Sequence, residues 1–267
     1  MHPLKVAMIQ NSAGADASAN LAWIERQLRR LADIDLAVLP EVFALRGSDD
    51  DYRNAAEKVP EGPTIRRMAA WARKQKCWLL LGSLIERKRG KFYNTSVLIN
   101  RRGAIAAIYR KIHLFEAQLD NGQVIREKDI YTAGSKPVLV DIEGWKTGLS
   151  ICYDLRFPEL FRQYSKHGAA LMLIPANFTQ RTGRAHWETL VRARAIENQC
   201  FVVAANQCGI NPKTGVASHG NSMAVGPWGE VMAQAADRPG CRSFAICPEE
   251  LKRIRTAIPV LTHRVLA

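Results

Sequence analysis

A chain of 267 residues, 47% of them hydrophobic, carries enough apolar mass for one sizeable core. Its 38 Lys and Arg against 25 Asp and Glu give a formal charge of +13, but the basic residues fall in separate places (RKRGK at 87–91, RRG at 101–103, KRIR at 252–255) without aromatic interleaving or a DNA-reading motif. A solvated charged surface that attracts small anions is therefore expected rather than a nucleic-acid partner. No run approaches the ~18 apolar residues of a membrane helix, and MHPLKVAMIQ lacks the charged-then-apolar pattern of a secretory signal, so no membrane association and a cytoplasmic location are expected.

KVAMIQ (5–10) alternates and is rich in β-formers, so it reads as a first strand. From Ser18 to about Ile34, Leu21, Ile24, Leu28 and Leu31 recur at spacings of three and four, one face of an amphipathic helix. LAVLPE (36–41) is a nearly all-apolar strand that ends abruptly in Glu41, the pattern of a sheet buried on both faces. Pro63 opens a second helix, to about Gln75, where proline is tolerated in the first turn. CWLLLGSLIE, FYNTSVLIN and AIAAIYR follow with short basic connections, which predicts consecutive antiparallel pairing. The stretch from 112 to about 135 has no clear period and reads as a long loop.

Strands resume in PVLVDIE and KTGLSIC, then come a helix from Pro158 to about Lys166 and the strand AALMLIPA. AHWETLVRARAIENQ (185–199) predicts a longer helix leading into the strand CFVVAANQ. The remainder gives NSMAVG, EVMAQA and CRSFAIC as strands and PEELKRIRTA as a closing helix. Helices alternating with strands around a central meander predict a single α/β domain over 1–267, with mixed sheets covered by helices.

Six cysteines occur, at 77, 152, 200, 208, 241 and 247, and their closest spacings, C-x5-C and C-x7-C, are not those of a zinc or redox motif. Five lie in surroundings that suit a small hydrophobe. Cys152 differs: SICYDLRFPEL (150–160) puts a thiol where an apolar strand ends and charge begins. Glu41 and Lys111 also stand where apolar strands terminate, at separations of 70 and 41 residues along the chain. Ligands of α/β sheets bind beyond the carboxyl ends of strands, so a fold could bring these three together. Each alone reads plainly, as a solvated carboxylate, a surface cation and a core cysteine. Together they make a nucleophilic set, since a thiol needs a base to take its proton and a cation to favour the anions that follow.

PEVFA around Glu41, YRKIHLF around Lys111 and SICYDLRFPEL around Cys152 closely resemble, in order and interval, the three signature segments of the nitrilase superfamily of carbon–nitrogen hydrolases. IPANF, HWETLVRARAIENQ and SMAVGPWGEV extend the resemblance over essentially the whole chain. The resemblance implies a four-layer αββα sandwich of two mixed sheets, pairing into a homodimer or higher homo-oligomer, with no cofactor and no metal. It implies Glu41 as general base, Lys111 as stabiliser of the tetrahedral intermediate and Cys152 as nucleophile. A second glutamate is expected in the loop between lysine and cysteine: Glu127 in VIREKDI is the best match, with Glu116 the alternative. Tyr153 is expected to give a backbone N–H to the oxyanion, and Asn177 of IPANF to contact substrate. Arg156 either holds a substrate carboxylate or pairs structurally with Asp154 or Glu159. His113 and His186 are expected to be structural or hydrogen-bonding residues, because the glutamate fills the base's role, and His219 reads as a loop residue. Within the superfamily the chain looks most like small amidases of metabolite repair, acting on deaminated glutathione or α-ketoglutaramate. An acid–amine bond in a small carboxylate-bearing amide is thus the expected substrate, hydrolysed through a thioester.

Overall fold

The computed structural model describes residues 1–31, 33–118, 122 and 124–265. Its strands are β1 (Leu4–Gln10), β2 (Leu36–Val38), β3 (Trp78–Lys88), β4 (Lys91–Ile99), β5 (Ile105–Arg110), β6 (Glu116–Gln118), β7 (Val124–Arg126), β8 (Val138–Ile142), β9 (Trp145–Leu149), β10 (Leu171–Leu173), β11 (Phe201–Ala204), β12 (Cys208–Ile210), β13 (Ala217–His219), β14 (Met223–Val225), β15 (Val231–Gln234) and β16 (Gly240–Ile246). The helices are α1 (Ala17–Arg29), α2 (Asp49–Asn54), α3 (Pro63–Gln75), α4 (Pro158–Lys166), the single turn α5 (Gln180–Thr182), α6 (Glu188–Asn198) and α7 (Pro248–Ala257).

Among the described residues these strands form two six-stranded mixed sheets, ordered β16-β1-β2-β3-β4-β5 and β15-β14-β11-β10-β9-β8. Strand parity decides what each face meets. In the first sheet Val6, Met8, Leu36, Val38, Leu80 and Leu98 share one core with Trp145, Leu149, Leu171 and Val202 of the second. The alternate residues Ile9, Ala37, Leu39, Leu79, Leu81 and Val97 pack instead on Leu21, Ile24 and Leu28 of α1 and Ile65, Met68 and Ala72 of α3. Leu160, Phe161 and Tyr164 of α4 and Val191 and Ala195 of α6 cover the second sheet's far side. The order is helix, sheet, sheet, helix, the four-layer αββα sandwich that the sequence predicts. Strands buried on both faces explain why LAVLP and LMLIPA read as unbroken apolar runs rather than alternations.

β3, β4 and β5 pair antiparallel in sequence, as their short connections predict, while β1, β2 and β3 run parallel. The chain leaving β2 crosses so close to β3 that a side chain on Gly82 would lie 2.0 Å from the Leu39 carbonyl oxygen. Only glycine fits there, and the crossing is what carries the chain on to Glu41.

Three expectations change. The first helix stops at Arg29 rather than near Ile34, although Leu31 still packs on the core. A short helix, α2, forms where none was expected; DDDYRN has no apolar period, but Ser48 and Asp51 make a reciprocal capping box. The stretch expected to be a loop between 112 and 135 holds the β6–β7 hairpin and a 3-10 turn at Glu127–Asp129. Among the described residues no helix is long and apolar enough to cross a membrane.

Tyr164 joins α4 to the second sheet: its hydroxyl donates to the Leu149 carbonyl and accepts from the Val138 N–H at 3.1 Å, and the residue is fully buried. Tyr164→Phe strands both backbone groups and should cost about 1–3 kcal/mol, read as a lower urea midpoint with an unchanged slope. An unchanged midpoint would mean that water replaces the hydroxyl.

Candidate active site

Glu41 lies three residues beyond β2, Lys111 directly after β5 and Cys152 three residues beyond β9. All three are buried, and all three line one cavity of about 270 Å³. The Lys111 ammonium is clasped between two carboxylates, donating to Glu41 Oε1 at 2.9 Å and to Glu127 Oε1 at 2.8 Å. Glu41 Oε1 also accepts from the Asn94 amide at 2.8 Å, and the Gln207 amide bonds the Glu41 backbone carbonyl at 2.9 Å. Glu127 Oε2 accepts the Phe115 N–H at 2.7 Å. Val42, next to Glu41, adopts φ +47°, rare for a β-branched residue, and its N–H is captured by Ser83 Oγ at 3.0 Å.

The nucleophile's turn is equally constrained. Cys152 has φ +46° and its N–H bonds the Pro175 carbonyl at 2.8 Å, at the head of the short 3-10 turn Cys152–Arg156. Asp154, fully buried in that turn, accepts from Tyr109 Oη at 2.7 Å, the Ile151 N–H at 2.8 Å, the His113 N–H at 3.0 Å and His113 Nδ1 at 2.7 Å. Tyr109 and His113 flank Lys111 by two residues on either side. One carboxylate therefore fixes the lysine's segment against the cysteine's.

Charge and burial set the ionisation of the group. Burial alone would push the Lys111 ammonium down, but Glu127 and Glu41 together outweigh it and hold its pKa well above the ordinary lysine value. Glu127 is pushed up, by burial first and by repulsion from Glu41, with Lys111 opposing. The Cys152 thiol is pushed well up by burial and by the Glu41 charge, against the pull of Lys111 and of the Asn177 backbone N–H that points at the sulfur. At neutral pH the sulfur is a protonated thiol.

Tyr153, Arg156 and Asn177 line the same cavity, so all seven expected residues converge. Tyr153 is the second residue of the 3-10 turn, where the backbone N–H lacks an intrahelical acceptor. Arg156 makes no pair with Asp154, whose oxygens are taken; its guanidinium lies 5.3 Å from the Phe178 ring centre and 3.2 Å from His186 Nδ1. It has no carboxylate partner among the described residues. Glu116 is exposed and bound to Arg126 and Lys128, outside the cavity lining. His113 is stacked on Phe157 with its Nδ1 on Asp154. Asn94 was not among the expected residues, and its trace is the polar NTS stretch in a strand that is otherwise largely apolar. Asp154 entered only as a possible partner of Arg156, not as the tie between the lysine's segment and the cysteine's.

Residues 5–255 match the family model described as carbon-nitrogen hydrolase. The chain is similar to the deaminated glutathione amidase of Yersinia enterocolitica, 38% identical over 98% of this chain and 93% of the relative. It superposes on the C. elegans NitFhit protein with a TM-score of 0.91 at 35% identity, over 99% of this chain and 66% of that longer one. It superposes on Saccharomyces cerevisiae Nit3, a member of branch 10 of the nitrilase superfamily, with a TM-score of 0.86 at 32% identity, over 97% and 95% of the two chains.

The raised Glu127 carboxyl has a stability consequence with a definite sign. Its folded pKa lies above its unfolded one, so the penalty is absent below the ordinary carboxylate range of about 4, grows as pH rises through the raised value and persists above it. Glu127→Gln keeps an acceptor for Lys111 but turns its NH₂ towards the Phe115 N–H, so the quantity read is the pH dependence: its urea resistance relative to the wild type should be greater at neutral pH than in acid. A relative resistance that instead rises in acid would contradict the assignment.

Proposed function

This chain belongs to the carbon–nitrogen hydrolase family, and we propose that it is a cysteine amidase acting on a small amide that also bears a carboxylate, of the deaminated-glutathione kind. The observation that carries the reading is the buried ammonium clasped by two carboxylates in the cavity that a strained thiol enters.

Because the thiol is neutral, attack requires a base at the moment of reaction, and Glu41 takes that role. As Cys152 Sγ bonds the carbonyl carbon, the thiol proton passes to Glu41 and negative charge moves to the carbonyl oxygen. Lys111 thereby loses one anionic neighbour and gains another: its charge turns from Glu41 to the oxyanion, with the Tyr153 N–H as second donor. Glu127 keeps the ammonium ionised and in place throughout. The carbon–nitrogen bond breaks as Glu41 gives its proton to the leaving nitrogen, releasing an amine or ammonia and leaving a thioester. Water, deprotonated by the same carboxylate, attacks the thioester; the acid departs and the thiol is restored. The net charge of the site is constant through each proton transfer, which is what buried charges demand.

Arg156 supports an anionic substrate, since a guanidinium in the cavity without a carboxylate partner among the described residues is free to fork onto one. Similarity to deaminated glutathione amidases supports the same choice. The reading carries a cytoplasmic setting and a homodimer with it; exposed Ile196 of α6 and Trp228 supply apolar surface for pairing.

The test is a panel of deaminated glutathione, α-ketoglutaramate, butyramide and an aliphatic nitrile, followed by release of amine or ammonia. The highest kcat/KM should fall on a carboxylate-bearing amide. Cys152→Ala and Glu41→Gln should each lower kcat by about 10³-fold or more while leaving the fold intact. Equal rates on neutral and anionic amides would remove the substrate assignment, and activity surviving Cys152→Ala would remove the nucleophile.

A further inference from the structure

Arg46, five residues past Glu41, is fully buried and lines the cavity. Its Nε donates to the Ala13 carbonyl at 3.2 Å, its Nη2 to Ser12 Oγ at 3.4 Å and its Nη1 to Ser218 Oγ at 2.7 Å. No carboxylate among the described residues pairs with it. Its titratable neighbours are Tyr52 and Cys208, whose own pKa values burial raises to about 12 and about 11, so both are neutral at pH 7. A guanidinium remains charged even so. A complete positive charge is thus buried beside a substrate cavity without a counter-ion, an arrangement that is costly unless something in the cavity answers it.

The hydrogen bonds give this charge a direction. A guanidinium only donates, so Ser218 Oγ accepts from it with a lone pair. The hydroxyl proton then goes to the other neighbour, Asn177 Oδ1, at 2.6 Å. Asn177 is left with its amide oxygen turned back towards Ser218 and its NH₂ as the group available to the cavity that the residue lines. The chain runs from the Arg46 guanidinium through the Ser218 hydroxyl to the Asn177 amide oxygen, and it ends in a donor. Arg156 lies against the neighbouring Phe178 ring, so an acceptor on this wall meets a cation as well.

We propose that Arg46 is a positioning residue for substrate selection, which through the Ser218 hydroxyl fixes Asn177 as a hydrogen-bond donor to the carboxylate of an anionic amide. The proposal rests on the carboxylate-bearing amide named above as substrate. It differs from a purely structural role, in which Arg46 would only tie the segment after β1 to β13. It also adds two residues from separate parts of the chain, Arg46 and Ser218, to the wall that Asn177 lines.

Succinamate and butyramide test it, since both present the same amide on a short chain and differ by a carboxylate in place of a methyl group. Ser218→Ala interrupts the relay with little change in volume, Ser218→Thr retains the hydroxyl, and Arg46→Met removes the charge. The quantity read is the ratio of kcat/KM for succinamate to that for butyramide, which does not depend on how much of a variant is folded. Ser218→Ala and Arg46→Met should lower the ratio about tenfold, through KM for succinamate, and Ser218→Thr should restore it. If both variants lower the two amides in proportion, the relay is overturned while a wild-type preference for succinamate leaves the amidase reading standing. If the wild type shows no such preference, the carboxylate reading falls and takes the relay with it.

Discussion

One ammonium held between two carboxylates, out of water, is the interaction on which the site depends. Taking ions out of water is expensive, and their mutual attraction repays the cost only with good geometry and every remaining polar group matched. Here Lys111 reaches Glu41 and Glu127 at 2.9 and 2.8 Å, Asn94 and Phe115 supply further donors, and Gln207 anchors the Glu41 backbone. Burial and the Glu41 charge act together on the sulfur, against the pull of Lys111. A buried thiol beside the Glu41 charge keeps its proton, so the base and nucleophile form a matched pair whose chemistry starts only when a carbonyl arrives.

The fold exists around this cluster as a means of delivery. Glu41 and Cys152 follow parallel strands of opposite sheets, and Lys111 follows the last strand of the antiparallel meander. Packing the sheets face to face brings these strand ends to a common edge of the core. Local devices then set the last ångströms. Gly82 lets the chain cross β3, the αL backbones at Val42 and Cys152 re-aim their segments, and Asp154 ties the cysteine's turn to residues on both sides of the lysine. Strain of this sort persists only where the surroundings over-determine it, and at both residues the N–H is captured by a neighbouring strand or loop.

The strands, the helices and their α/β class were legible because buried strands and amphipathic helices write their periods directly into the sequence, while the four-layer arrangement was implied by the family resemblance. Leu21, Ile24 and Leu28 announce α1, and the unbroken run before Glu41 announces a strand covered on both sides. The convergence of Glu41, Lys111 and Cys152 was legible for a different reason: three segments resembled known signatures in the right order, whereas spacing alone left each residue with an ordinary explanation. What stayed hidden has no local period. The β6–β7 hairpin that presents Glu127 is too short to show alternation, and α2 is specified by its cap rather than by an apolar face. Arg46 and Ser218 are separated by 172 residues, so their bond exists only in the folded chain.

The claim that most needs a direct measurement is that Cys152 rests as a neutral thiol because of Glu41 and burial, rather than as a thiolate paired with Lys111. Titrating its ultraviolet thiolate absorbance in the wild type and in Glu41→Gln, with Cys152→Ala as the blank, reads this. The account predicts a wild-type thiol well above the ordinary range and a lower value in Glu41→Gln, where the repelling charge is gone and Lys111 still attracts. A wild-type sulfur already ionised at neutral pH, or a value that rises in Glu41→Gln, would contradict it.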